Sequence, residues 1–310
     1  MITAVSMNPS IDLTLFISNL TIGASHRTGH TRRDISGKAA NVVYALRNLG
    51  LPCQLLGFDF VENGNLLKDS LAAVGAPHDM VAVQGSIRTN VKIFEESSQI
   101  MTEVNQEGAS VPEEAVSVLL DKVIKAQSDV LILSGSLPSG VDDGIYGEII
   151  RNVKAPVILD AHGPALYKGL VEGPYIIKPN LTEMEQAFGV SLPSKSVRIS
   201  TGQALIRKYS GLRAICLSLG KDGALMIGRD EAFYAPALDI AVRGVQGAGD
   251  SMVAGLAAEL SADVDAPLDV LLRSAMAAAA ASLVLEGTLM GQKEDYDKML
   301  EKVEIIKWRH

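Results

Sequence analysis

The chain has 310 residues, long enough for one large domain or two smaller ones, which excludes a small scaffold held together by disulfides or metals. Apolar residues make up 47% and charged residues 21%, a balance typical of globular proteins with a large core and not of disordered chains. The net charge is −8, from 28 Lys and Arg against 36 Asp and Glu. This balance argues against a general nucleic-acid or anionic-membrane surface, so an anionic ligand needs a local cationic pocket.

Cysteine usage and the terminal sequence bear on the compartment. Cys53 and Cys216 lie in separate apolar runs without a partner at metal-ligand spacing. We therefore expect no disulfide framework or zinc site, and a reducing, cytoplasmic setting. The first residues lack a signal-peptide pattern, and the longest apolar run, residues 275–285, is too short to cross a bilayer. We expect no membrane association.

Short apolar runs alternate with helical patterns, which is typical of βαβ units around a mostly parallel sheet. The predicted core strands cover residues 2–7, 54–58, 130–134, 157–160, 175–178 and 214–218. Predicted helices cover residues 39–49, 66–74 and 113–126, each with a Gly after it or a Pro before it. The predicted fold class is α/β, with a mostly parallel sheet flanked by helices. Because no linker or repeat divides the chain, we expect one domain over residues 1–310.

Two segments, residues 12–35 and 87–105, depart from this alternation. They lack a helix-period stripe and carry short alternating stretches typical of strands, such as residues 89–94. We expect them to form a small β-sheet inserted into the main domain.

The strongest local signal for chemistry is Gly247-Ala248-Gly249-Asp250, which precedes a helix of small residues. Glycines at the start of a helix expose its unpaired N–H groups, and these groups together with the helix dipole bind anions. The alternative is that Asp250 simply caps the helix. The motif is neither a dinucleotide G-x-G-x-x-G nor a P-loop.

Two further signals lie at the ends of predicted strands, where open parallel sheets bind ligands. Asn180 and Glu183, in Lys178-Pro179-Asn180-Leu181-Thr182-Glu183, could hold a hydrated Mg²⁺, or they could form a helix cap. The run from Ser218 to Gly223, with a glycine at each of positions 220 and 223, either approaches a nucleotide or is an ordinary turn.

Cationic residues gather in and beside the two inserted segments: Arg27, Arg32, Arg33, Lys38, Arg88 and Lys92. Most such residues are solvated surface. Lys38 is an exception, because it opens a predicted helix, where the dipole disfavours a cation unless an anion offsets it. Arg88 could grip the same anion, and Asp12, after the first strand, could accept hydrogen bonds from sugar hydroxyls or belong to a plain turn.

Seven short motifs follow one another along the chain. They are Asn8-Pro9-Ser10-Ile11-Asp12, Gly37-Lys38 with Asn41, Arg88 with Asn90 and Lys92, Ser134-Gly135-Ser136-Leu137-Pro138-Ser139-Gly140, Lys178-Pro179-Asn180 with Glu183, Ser218-Leu219-Gly220, and Gly247-Ala248-Gly249-Asp250-Ser251. In this order and spacing they resemble the PfkB branch of the ribokinase-like sugar kinases, over residues 1 to about 290. Within that branch the chain is most similar to bacterial 1-phosphofructokinases and next to tagatose-6-phosphate kinases.

The resemblance implies a Rossmann-like α/β domain with a β-sheet lid that often forms a dimer interface, MgATP as cofactor, and phosphoryl transfer to a sugar hydroxyl. It implies a catalytic base at Asp250 and an anion hole formed by Gly247, Ala248 and Gly249. The implied nucleotide and magnesium residues are Lys178, Asn180, Glu183, Ser218, Gly220 and Gly223. The implied phosphosugar pocket comprises Asp12 and Gly37 toward hydroxyls, Lys38 and Arg88 toward the phosphate, and Asn41.

The chain departs from the family pattern at one loop. Where these kinases usually read Gly-Gly-Lys-Gly before the pocket Asn, this chain reads Ser36-Gly37-Lys38-Ala39-Ala40-Asn41. Losing two glycines restricts the backbone and reshapes the pocket. The expected activity is phosphorylation of fructose 1-phosphate to fructose 1,6-bisphosphate, with tagatose-6-phosphate kinase or 6-phosphofructokinase as alternatives. A catalytically silent sugar-phosphate sensor is a further alternative. A nucleoside kinase or an unphosphorylated-sugar kinase is disfavoured, because a neutral substrate has no use for the paired cations Lys38 and Arg88.

Overall fold

The computed structural model describes residues 1–309, so His310, the last residue of the expected domain, lies outside the described residues. The strands are β1 (Ile2–Ser6), β2 (Ser10–Ile17), β3 (His30–Ser36), β4 (Cys53–Phe60), β5 (His78–Val83), β6 (Arg88–Glu95), β7 (Ile100–Val104), β8 (Val130–Ser134), β9 (Val157–Asp160), β10 (Ile176–Ile177), β11 (Ala214–Ser218), β12 (Ala224–Ile227), β13 (Ala232–Ala235) and β14 (Ile306–Lys307).

The α-helices are α1 (Lys38–Asn48), α2 (Asn65–Ala73), α3 (Glu113–Lys125), α4 (Ile145–Asn152), α5 (Gly163–Val171), α6 (Leu181–Phe188), α7 (Lys195–Lys208), α8 (Ala248–Ala262), α9 (Leu268–Leu283) and α10 (Lys293–Leu300). Helices α1, α8, α9 and α10 pack in series in one layer, and α3, α4, α5 and α6 in another. Within residues 1–309, no helix is long and apolar enough to cross a membrane.

The large sheet confirms the predicted α/β class. Its strand order is β14-β13-β12-β11-β10-β9-β8-β1-β4-β5, and the pairs from β5 through β11 are all parallel. Strands β1, β8 and β9 are buried along their whole length, as expected for a parallel sheet covered by helices on both faces. Strands β12, β13 and β14 add an antiparallel edge.

Element ends differ from the sequence predictions by small shifts. The strand predicted at residues 54–58 runs over Cys53–Phe60, and helix α1 begins one residue early, at Lys38. The strand predicted at residues 175–178 shrinks to β10, because Pro179 has no N–H to continue the ladder. Pairing resumes only at an isolated parallel bridge between Asn180 and Ser218.

A second sheet, here called the small sheet, has the strand order β3-β2-β6-β7. Its strands come from the two segments that depart from the βα alternation, although β2 begins at Ser10 and β3 ends at Ser36. Strand alternation gives it two faces. The inner face carries Asp12, Asn90 and Lys92, which are buried, and the outer face is mainly apolar.

The alanine-rich carboxyl-terminal third packs helices closely. A Cβ on Gly255 in α8 would stand 2.6 Å from the backbone oxygen of Ser274 in α9. The Ser274 hydroxyl donates to the Gly255 carbonyl across the same contact, at 2.9 Å. This packing fixes α8, whose amino terminus points to the site described next.

Candidate active site

A cavity of about 440 Å³ lies between the carboxyl ends of the parallel strands and the inner face of the small sheet. Seven of the predicted site residues line it: Asp12, Gly37, Lys38, Asn41, Arg88, Gly247 and Asp250. Two other grooves, of about 480 and 500 Å³, lie beside Trp308 and along α3 and α4, and contain none of the predicted site residues. The cavity therefore marks the candidate site.

The amino terminus of α8 opens onto this cavity. Gly247 is its N-cap, with a left-handed φ of 74° that favours glycine. The first helical bond runs from Ser251 N to Gly247 O at 2.8 Å, so the N–H groups of residues 248 to 250 have no acceptor within the helix. A Cβ on Gly249 would stand 3.4 Å from Lys178 Nζ. A glycine and an ammonium therefore flank the same helix terminus, which suits an anion.

Asp250 lies in the first turn of α8 and is buried. One of its oxygens, Oδ2, accepts a hydrogen bond from Asn41 Nδ2 at 2.7 Å. Burial and the neighbouring carboxylate of Asp160 raise the pKa of Asp250 to about 6, against the opposing effects of Lys38, the Asn41 bond and Lys178. At neutral pH this carboxyl group is ionised and remains basic enough to accept a proton.

Asp160 is a buried, charged residue of this site that the sequence analysis did not identify. It ends β9, is fully buried, and lies 3.2 Å from Lys178 Nζ and 3.3 Å from Lys38 Nζ. The Ser134 hydroxyl donates to it at 3.0 Å. Burial opposes ionisation, but the two ammonium groups hold the pKa of Asp160 below its usual range. The available signal was an acidic residue ending a buried strand, at the sheet edge where ligands bind.

Lys38 and Arg88, predicted to grip one phosphate together, belong to different clusters of the same cavity. Lys38 lies against Asp160 and 3.8 Å from Glu183 Oε1. Although burial opposes it, the charges of Asp160, Glu183 and Asp250 raise the pKa of Lys38 above its usual value. Arg88 lies on β6 in the small sheet, and its Nη1 donates to the Gln106 carbonyl at 3.1 Å. Lys38 therefore lies on the Asp250 side of the cavity, and Arg88 on the small-sheet side.

The carboxylate of Asp12 is held by three donors on the inner face of the small sheet. Its Oδ1 accepts from Asn90 Nδ2 at 3.0 Å and from Ser10 Oγ at 3.2 Å. Its Oδ2 accepts from Lys92 Nζ at 2.7 Å. Asp12 therefore faces the cavity as an acceptor of fixed orientation.

Asn180 and Glu183 form a capping box at the start of α6. Glu183 N donates to Asn180 Oδ1 and Asn180 N donates to Glu183 Oε2, both at 2.8 Å. The helix cap offered by the sequence as an alternative is thus present. Glu183 Oε1 also faces Lys38. In the part of the chain that the structure describes, no group of three His, Cys, Asp or Glu residues could hold a metal ion by itself.

The predicted nucleotide residues gather at the end of β11. Ser218 pairs with Asn180 through the parallel bridge, and Gly220 begins a short 3-10 turn (Gly220–Asp222). Gly223 has a φ of 88°, and a Cβ there would stand 2.0 Å from the Ala235 carbonyl oxygen. The close approach of β13 therefore accounts for this glycine without a ligand.

Comparison with known proteins places the chain in context. Residues 5–295 match the sequence profile described as "pfkB family carbohydrate kinase". The chain is 30% identical over 309 residues to the 1-phosphofructokinase of Borreliella burgdorferi, with 98% of each chain covered. It is 35% identical over 274 residues to the 1-phosphofructokinase of Rhodobacter capsulatus, with 85% of each chain covered. The profile match spans all residues that line the cavity, and the large sheet except β14 and the start of β1.

The fold is similar to that of phosphofructokinase-2 from Escherichia coli. The TM-score is 0.89 at 24% identity, with 97% of this chain and 98% of that chain covered. At this identity the likeness concerns the fold, and it agrees with the large sheet flanked by helices.

Proposed function

Because the chain belongs to the pfkB family of carbohydrate kinases, we propose that it transfers the γ-phosphoryl group of ATP to fructose 1-phosphate, giving fructose 1,6-bisphosphate. The observation that carries the proposal is the arrangement of one cavity. Arg88 and Asp12 line one side, and Asp250 with the amino terminus of α8 lines the other. A sugar phosphate held at its phosphate and hydroxyls by the first group presents another hydroxyl to the second. The relatives named 1-phosphofructokinase support the choice of sugar.

Asp250 is the proposed general base. It removes the proton from the attacking sugar hydroxyl, and its pKa of about 6 leaves it ionised at neutral pH. The hydrogen bond from Asn41 fixes the orientation of the carboxylate. Ser36, one of the residues that replace the usual glycines, is buried and touches Asn41 at 3.3 Å. Ser36 in the altered loop therefore helps to hold Asn41, which in turn orients the Asp250 carboxylate.

Phosphoryl transfer also requires that the negative charge on the transferred group be neutralised. The N–H groups of Ala248, Gly249 and Asp250, beyond the Gly247 cap, form the proposed anion hole. Lys178 adds a positive charge beside Gly249. Lys38 remains protonated on the other side of Asp160. These groups neutralise the phosphoryl oxygens as the bond to the nucleotide lengthens.

The sugar is proposed to lie against the small sheet. Asp12 accepts from its hydroxyls, and Arg88 donates to its phosphate with the forked geometry that suits phosphate oxygens. Gly37 has a φ of 124°, and a Cβ there would stand 3.0 Å from the Cα of Pro9. The loop before α1 therefore packs closely against the loop after β1. Because Gly37 has no side chain, its backbone can approach a sugar in the cavity.

The nucleotide is proposed to bind along the ends of β10 and β11, beside Lys178, Asn180, Ser218, Gly220 and Gly223. Magnesium fits this site only in partnership with the nucleotide, since Glu183, the carboxylate that contacts Asn180, already uses its Oε2 in the helix cap. Mg²⁺ commonly keeps several waters and takes one or two carboxylates plus substrate phosphates. We propose that Glu183 and Asn180 hold it through water. When bound, the ion neutralises phosphate charge.

The test of this assignment is Asp250→Asn, which keeps the shape of the site and removes the base. Turnover should fall by about 10²- to 10⁴-fold, as is typical for a lost acid or base, while ATP binding measured by calorimetry is kept. A variant with near-normal turnover would show that Asp250 is not the base. A wild type that binds fructose 1-phosphate without releasing ADP would instead favour the catalytically silent sensor.

A homodimer is proposed through the outer face of the small sheet. Register places Leu13, Val91, Ile93 and Val104 on the face opposite Asp12, and Val104 is 60% exposed. An exposed apolar face marks a protein–protein contact, and an open strand edge invites pairing, so a second copy is the partner that fits this sheet. Sedimentation at micromolar concentration should show dimers. A fully active monomer would contradict this.

With Cys53 and Cys216 both unpaired, the proposed setting is the cytoplasm.

A further inference from the structure

The ammonium group of Lys92 is buried in the small sheet. Only 5% of the residue is exposed, and it lines the cavity near Asp12. Lysine is rarely buried to this degree unless its charge has a partner. The partner is Asp12 Oδ2, 2.7 Å from Lys92 Nζ.

Lys92 has two carboxylates on neighbouring strands, Asp12 and Glu103, and it pairs with Asp12. Glu103 lies directly opposite Lys92 in the register of β6 and β7, and it is exposed. Cross-strand neighbours of opposite charge attract one another. Among the ion pairs of residues 1–309, however, Lys92 pairs only with Asp12. The Lys92 side chain is buried, and it reaches Asp12, which lies two residues from Thr14, the residue opposite Lys92 on β2.

Asp12 needs this cation because its other cross-strand neighbour is acidic. Asp34 lies directly opposite Asp12 in the register of β2 and β3. Arg32 Nε donates to Asp34 at 2.9 Å, which leaves Lys92 as the cation that hydrogen-bonds to Asp12. Arg88 acts on Asp12 through its charge alone. Without Lys92, the buried Asp12 carboxylate would face a second carboxylate and lose the hydrogen bond that fixes its orientation.

We propose that Lys92 is a positioning residue for the sugar, which holds the Asp12 carboxylate aimed at the substrate hydroxyls. The inference rests on the proposed function. A carboxylate offers about four acceptor sites. Ser10 and Asn90 occupy two on Oδ1, and Lys92 occupies one on Oδ2. One site on Oδ2 remains for a sugar hydroxyl, in a direction that the Lys92 bond fixes.

The test compares Lys92→Met, which keeps the unbranched stem and removes the charge, with Lys68→Met. Lys68 forms an equally short pair with Asp59, at 2.7 Å, outside the cavity. In Lys92→Met, KM for fructose 1-phosphate should rise about 10- to 100-fold, the factor expected for a lost hydrogen bond to a charged group. The kcat value and KM for ATP should change less than threefold. Lys68→Met should match the wild type.

A double variant keeps the test decisive if Lys92→Met folds poorly. Asp12→Asn with Lys92→Met leaves no uncompensated buried charge. If Lys92 acts through Asp12, the double variant should have the KM of Asp12→Asn alone. Additive effects, an unchanged KM in Lys92→Met, or equal losses in kcat and in KM for ATP would overturn the proposal. If the wild type does not accept fructose 1-phosphate, the proposed function fails, and the same series with the sugar it does accept still tests Lys92.

Discussion

The hydrogen bond from Asn41 to Asp250 makes a sharp prediction about pH dependence. Asn41→Leu keeps the side-chain volume but removes the donor that lies 2.7 Å from the carboxylate. A hydrogen bond to a charged group contributes about 1.5–3 kcal/mol, and about 1.4 kcal/mol corresponds to one pKa unit. Since this bond favours the ionised form, its loss should raise the pKa of Asp250 by about one to two units, from about 6 in the wild type.

The base works in its ionised form, so activity is lost as pH falls through its pKa. Raising that pKa moves the loss to higher pH. At pH 7 the ionised fraction of Asp250 should fall from about 90% to between about 50% and 10%, so kcat/KM should drop roughly 2- to 10-fold for this reason alone. At pH 9 this part of the loss should disappear.

The assay is the pH profile of kcat/KM for fructose 1-phosphate between pH 5 and 9. The position of the acidic limb is the readout, because a lost contact to the sugar would lower the whole profile without moving the limb. Asn48→Leu is the control. Its side chain lies in the same helix and donates to the Met290 carbonyl, not to the Asp250 carboxylate. A limb in Asn41→Leu that stays in place or moves to lower pH would refute the reasoning.

The remaining predictions concern the helix cap and the sugar phosphate. Asn180→Ala should destabilise the protein by about 1 kcal/mol, seen as a melting temperature lower by about 2 °C. Glu183→Gln can still close the capping box, so it should melt like the wild type but require more Mg²⁺; an unchanged Mg²⁺ requirement would leave the pair as a cap only. Arg88→Ala should raise KM for fructose 1-phosphate at least tenfold, from lost charge-assisted bonds, with little effect on KM for ATP. Arg151→Ala, on the surface, is its control, and an effect on ATP alone would contradict the pocket assignment.

The α/β class could be predicted because the central strands are continuous apolar runs. Strands β1 and β8 are buried along their whole length, and β11 is buried up to its last residue, Ser218. Strand β5 was missed because it lies at the sheet edge and alternates exposed with buried residues. The β12–β13 hairpin was missed because its antiparallel strands follow one another without a helix between them, outside the βα alternation. Edge and hairpin pairing depend on neighbours that local patterning does not identify.

The candidate site was predicted where one motif carries both the geometry and the chemistry. Gly247 and Asp250 lie on one helix start, so their relation is local. Asp160 was missed because its charge partner Lys38 lies 122 residues away in sequence, and only the sheet brings them together. The sequence analysis grouped Lys92 with cations that are mostly on the surface, because its burial depends on strand β2, which is distant in sequence.

The most direct test of the account is an ADP-release assay of the wild type over five sugars: fructose 1-phosphate, fructose 6-phosphate, tagatose 6-phosphate, fructose and ribose. The account predicts the highest kcat/KM for fructose 1-phosphate, since Arg88 and Asp12 lie opposite Asp250 across one cavity. Phosphorus NMR of the product should show fructose 1,6-bisphosphate. Preference for unphosphorylated fructose or ribose would contradict the phosphate pocket, and preference for either 6-phosphate would contradict the choice of sugar.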